Sequence, residues 1–206
     1  MPYISPQARP AIDEEVEKLA SVIVNKLQRE ANPIKVSEFY FNTFQNISKG
    51  LCHFVAYDKE YDNYRDEYPL IYLLLGDDRR SGAWLGNLNY ALTTLIQAVP
   101  YKMYKLGIWK EALRYWLYAE TVGALVQAGL EINKSFPPNW VSSGLVGVLE
   151  DVKDEYKRRV NVPYEAEQIL KSGDCYDKSP FRTKVVETTI EGITGRIEVM
   201  LPKQVL

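Results

Sequence analysis

Apolar residues recur at three- and four-residue steps through most of the chain, and this period constrains the fold more than any other feature. Between Pro10 and about Glu30, Ile12, Val16, Leu19, Ala20, Ile23, Val24 and Leu27 share one helical face. The acids Asp13, Glu14, Glu15 and Glu17 sit near the positive end of that helix. Asn32-Pro33 should end it, and Ser37 can cap a second helix with Tyr40, Phe44, Ile47 and Leu51 on one side, where Gly50 is placed to interrupt. Tyrosines 57, 61, 64, 68 and 72 would align along a third helical segment, with a break or restart at Pro69. Gly76 to Gly82 reads as a loop, followed by a stripe of Leu85, Leu88, Leu92, Leu95 and Val99 that Pro100 is expected to close. The stretch from about Ile108 to Lys134 carries Ala119, Gly123, Ala124 and Ala128, small residues that admit a close helical neighbour. Pro137-Pro138 stops it, and a last long helix from about Ser143 to Val160 turns Leu145, Val148, Leu149, Val152 and Tyr156 to the core.

The period changes after Gly173. Lys184–Ile190 and Arg196–Leu201 are β-branched and partly alternating around Gly192-Ile-Thr-Gly195, the pattern of a hairpin. The expected fold is therefore mainly α, a multi-helix bundle over 1–177 with a short C-terminal β-hairpin in a β-rich tail over 178–206. A lone two-stranded hairpin is marginal in water, so this one should pack on helices or pair with another chain, which makes a homo-oligomer or a protein partner the expected assembly. Val122–Lys134 also matches Val146–Arg158 at an offset of 24 residues, which predicts similar packing for the two helices.

Composition narrows the function. With 25 basic and 27 acidic residues the formal charge is −2, which gives no general attraction to nucleic acid or anionic lipid. No window approaches a membrane span and the first residues do not read as a signal peptide, so a cytoplasmic protein is expected. His53 is the single histidine and the two cysteines, Cys52 and Cys175, form no CxxC pair, which removes the usual zinc sets. Phosphate-binding loops of the GxxxxGK[ST] and GxGxxG kinds and the GxSxG nucleophile turn are absent.

Two clusters retain chemical interest. Glu150, Asp151, Asp154 and Glu155 fall within about 140° of a helix circumference, and with Glu14 and Glu17 one turn apart on the first helix they could cage Mg²⁺. Against a cage, Asp154 with Arg158 and Glu155 with Arg159 have the spacing of ion pairs on a solvated face. Tyr115, Trp116 and Tyr118 could stack on a base or other flat ligand, or fill a core. The primary expectation is a module without cofactor; Mg²⁺ belongs to the alternative.

Pro2-Tyr3-Ile4, the run Gly86-Asn-Leu-Asn-Tyr-Ala-Leu-Thr-Thr-Leu-Ile96, and Val146-Gly-Val-Leu-Glu150 with Tyr156-Lys-Arg-Arg159, Pro163-Tyr-Glu165 and Gly173-Asp-Cys-Tyr176 together resemble a family of small uncharacterised phage and prokaryotic proteins. Segments 35–83, 100–140 and 178–206 read as additions to that pattern. The resemblance implies a helical core and a mobile-element setting, with no catalytic residue to carry over. The Glu14-x-x-Glu17 pair and the acidic helix also resemble the all-α Mg²⁺-dependent nucleoside triphosphate pyrophosphohydrolases, the alternative to a helical interaction module.

Overall fold

A computed structural model describes residues 4–30, 35–56, 66–76, 82–108, 114–137, 139–172, 181–190 and 193–202. The chain is mainly helical. In order it forms α1 (Arg9–Glu30), α2 (Val36–Ala56), α3 (Pro69–Leu75), α4 (Ala83–Lys105), α5 (Arg114–Ser135), α6 (Trp140–Tyr156), a π-helical turn over Lys157–Asn161, α7 (Val162–Ser172), β1 (Phe181–Ile190) and β2 (Ile193–Pro202). Contacts divide it into two units, 1–163 and 164–206.

In the first unit the apolar stripes meet in one core. Ile12, Val16, Ile23 and Leu27 of α1, Tyr40, Phe44 and Leu51 of α2, and Leu88, Leu92 and Leu95 of α4 are all buried. α4 lies between α1 and α6, while α5 packs on both α2 and α6. Leu149 and Val152 therefore share a core with Val16 and Ile23, although α1 and α6 reach it from different sides of α4. Leu19 is only partly buried.

The 24-residue similarity has a structural counterpart. α5 and α6 form a helical hairpin in which Tyr118 stacks on Tyr156 and Gly129 approaches Leu149. The equivalent pairs Ala124 and Val148, Leu125 and Leu149, Ala128 and Val152, and Ile132 and Tyr156 are all buried. Of the small residues on α5, Ala124 and Ala128 enter the core whereas Ala119 and Gly123 are exposed.

Several boundaries differ from those expected. Gly50 lies inside a continuous α2, where a β-carbon would stand 3.2 Å from Ile71 Cδ1, so the glycine admits α3 rather than ending the helix. Ser37 likewise lies within α2, which begins one residue earlier. Pro100 does not close α4: a proline this near the end removes one hydrogen bond, and the further turn buries Met103. The helix stops at Gly107, whose φ of 68° suits glycine; Gly107 N–H donates to the Tyr104 carbonyl and Ile108 N–H to that of Met103, a Schellman ending. α6 starts three residues before Ser143 because Asn139 caps it, accepting from the Val141 and Ser142 amides at 2.9 and 3.0 Å while Ser142 Oγ accepts from the Asn139 amide. Pro69 does restart the chain, at the first position of α3.

The helix runs on past the stop expected at Val160, through the π-helical turn over Lys157–Asn161 into α7, where Pro163 has no N–H to offer the helical turn before it. In the second unit β1 and β2 pair antiparallel, with Phe181 opposite Pro202 and Ile190 opposite Ile193. The side chains of both strands lie outside the described residues, and with them the expected packing of the hairpin. Tyr57, Tyr61, Tyr64, the loop 77–81, Gly192 and Gly173–Tyr176 also lie outside them.

Candidate functional site

α1 and α2 touch only narrowly, and the space between them opens into a groove of about 920 Å³ along α3. α1 contributes Leu19 and Val22, α2 contributes Ile47, Gly50, His53 and Phe54, and Tyr68, Pro69, Leu70 and Ile71 line the third side, with Phe136 from the segment after α5. Val22 lies off the core stripe of α1 and is 50% exposed; Tyr68 is 45% exposed. Apolar surface is thus presented to solvent along the groove. Its polar lining has both signs, with Lys18, Lys49, Glu15 and Glu67 beside Thr43 and Asn46. Lys18 pairs with Glu15 at 2.7 Å and Glu14 at 2.9 Å, which raises the ammonium pKa and lowers that of the Glu14 carboxyl. The His53 ring meets Phe54 edge-on, with centroids 5.5 Å apart. Mostly apolar walls with a few polar groups suit capture of a ligand with one apolar face.

The four carboxylates considered for Mg²⁺ do not converge. Glu14 is held by Lys18, Glu17 by Lys102 of α4, and Glu150 by Lys153, while Asp154 is exposed on α6. α4 stands between the helices that carry them. Among the described residues, no three His, Cys, Asp or Glu side chains gather in a way that could hold a metal ion. Arg158 turns to Glu155 instead of Asp154, with Nη2 and Nε at 2.8 and 2.9 Å, and Arg159 joins it, holding the Glu155 carboxyl down at about 2. Millimolar Mg²⁺ is therefore expected to move the melting temperature by less than about 1 °C, and Asp154→Asn to change stability by less than about 0.5 kcal/mol. A rise of several degrees with Mg²⁺ that Asp154→Asn abolishes would show that these groups gather around a cation in solution.

Trp116 and Tyr118 are half-buried and pack on the core, and Tyr118 stacks on Tyr156 at 5.7 Å; the side chain of Tyr115 lies outside the described residues. Cys52 is a free buried thiol pushed up to about 11 by burial, which leaves it unreactive near neutrality, and Cys175 is outside the described residues. Cys52 thus enters the core while its neighbour His53 lines the groove.

These features define a helical bundle with an open apolar groove. The chain belongs to the family described as Domain of unknown function (DUF6899), whose model matches residues 1–138. That span takes in 35–83 and 100–138, so these segments are family sequence rather than additions. No curated protein matches the chain, and no solved structure does. Among the described residues no helix is long and apolar enough to cross a membrane.

Ile4 and the Gly86–Ile96 run meet in space. Ile4 lies against Gly86, Asn87 Nδ2 donates to the Leu74 carbonyl at 2.9 Å, and the Tyr90 hydroxyl donates to Asp13 at 2.9 Å. Arg9 lies over the Tyr90 ring. Asn87 and Tyr90 thus tie α3 and α1 to α4.

Proposed function

We propose that this chain is a non-catalytic helical interaction module, of the mobile-element kind its motifs resemble, and that it works in the cytoplasm by taking an apolar helix face of a second copy into the α1–α2–α3 groove. The observation that carries the reading is the groove, with Val22 and Tyr68 exposed along it. A complementary surface supports the choice of partner. On α7, Val162, Ile169 and Leu170 are 54%, 43% and 88% exposed on one stripe with Ala166, while Tyr164 and Gln168 behind them are half-buried. Eleven helical residues span about 16 Å, the scale of a helix laid in a groove. Nucleoside triphosphate hydrolysis with Mg²⁺ has no donor set among the described residues to favour it.

Complementation tests this. The wild-type chain should sediment as an oligomer, and Val22→Glu and Leu170→Glu should each sediment as monomers with the helical content retained. An equimolar mixture of the two variants should associate again, because one retains its α7 and the other its groove. A monomeric wild-type chain, or variants that associate no better mixed than alone, would refute the reading.

A further inference from the structure

We propose that a second pocket, between the C-terminal end of α4, the start of α5 and the end of α6, binds a small flat aromatic carboxylate. The pocket measures about 350 Å³, at the small end of ligand sites and large enough for one or two fused rings. Two irregularities of helix geometry border it. Pro100, inside α4, has no N–H to offer the Ile96 carbonyl, and both residues line the pocket. Val160, in the π-helical turn that follows α6, lines the other side. π-Turns widen a helix and recur at binding sites because they redirect side chains out of register.

The lining matches the ligand class. Tyr101 and Tyr104 are 61% and 64% exposed, so two aromatic surfaces stand ready to stack on a ring. Arg114 contributes a planar guanidinium whose five N–H donors can serve a carboxylate in addition to a protein group. Gln97 adds an amide, and Lys105, over the Tyr101 ring at 5.2 Å, adds positive charge that opposes a cationic ligand. Tyr156 lines the inner wall; burial pushes its phenol up to about 12, so it stays neutral beside an anion. From α5 the lining residues are Arg114 and Leu117, whereas Trp116 and Tyr118 pack on the core.

Calorimetric titration of the full chain with indole-3-acetate, indole and tryptamine tests the assignment. Indole-3-acetate should bind at least about tenfold more tightly than the neutral and cationic probes, as a charge-assisted pair requires. Tyr104→Ala should weaken it about fivefold or more without moving the melting temperature. Arg114→Gln should erase the preference for the acid; if that variant does not fold, the three probes and Tyr104→Ala decide. Equal affinity for the three probes, no detectable binding of the acid, or unchanged affinity in Tyr104→Ala would each overturn the proposal.

Discussion

Leu149→Ala is expected to lower the free energy of unfolding by about 2–5 kcal/mol, toward the upper part of that range. The side chain is 2% exposed and faces α5, where Gly129 approaches its Cδ1. A glycine has no side chain to swing into the space left behind. The backbone of α6 is also held between α4 and α5, so it cannot close the cavity by moving toward one without leaving the other. Urea titration followed by helical circular dichroism measures the change. A loss under about 1 kcal/mol would mean that α6 is not part of the core it joins.

High pH should unfold the protein with a midpoint between about pH 11 and 12. Three buried acids carry the effect. Burial, with the nearby Tyr156 adding to it, raises the Tyr40 phenol far above its ordinary value, and burial lifts Tyr156 to about 12 and Cys52 to about 11. Each is held in its neutral form by folding, so its contribution is complete below the unfolded value and is lost as pH rises through the folded one. The thiol begins to count near pH 9 and the phenols near pH 10, each removing about 1.4 kcal/mol per pH unit. By pH 11 the loss is about 5 kcal/mol, which matches the total stability of a weakly stable domain. Tyr40→Phe should move the transition to higher pH and add about 1 kcal/mol at neutrality, because the buried Tyr40 hydroxyl has no hydrogen-bond partner among the described residues while the ring that stacks on Phe44 is kept. The ultraviolet absorbance of the phenolates, followed against pH, gives the check. Fifteen tyrosines all titrating near pH 10 with the helices intact would contradict it.

The helical core was legible because its signal is periodic: Ile12 to Leu27, Tyr40 to Leu51 and Leu88 to Val99 each bury the side that their spacing marks. Boundaries were less so. Pro100 and Gly50 are breakers in isolation, yet Met103 and Ile71 reward the helix for continuing past them, and that reward depends on neighbours far along the chain. Asn139 with Ser142 was a readable cap that the run of prolines before it obscured. Neither pocket was legible, since each is assembled by several helices. The available hints were local: Val22 is apolar but off the α1 stripe, and Tyr101 and Tyr104 follow a proline that should have ended their helix. The acidic cluster left both a cage and a solvated face open because spacing reveals which groups share a helix face and not which helix stands between two faces.

The capping of α6 by Asn139 has a consequence for the reach of the family likeness. The matched region ends at residue 138, immediately before that cap. Yet Val141, Leu145, Leu149 and Val152, all beyond it, close the same core as Leu88 and Leu125 within it. A chain cut at the family border would leave α4 and α5 with wet apolar sides, so the segment that the family model matches is shorter than the segment that must melt as one.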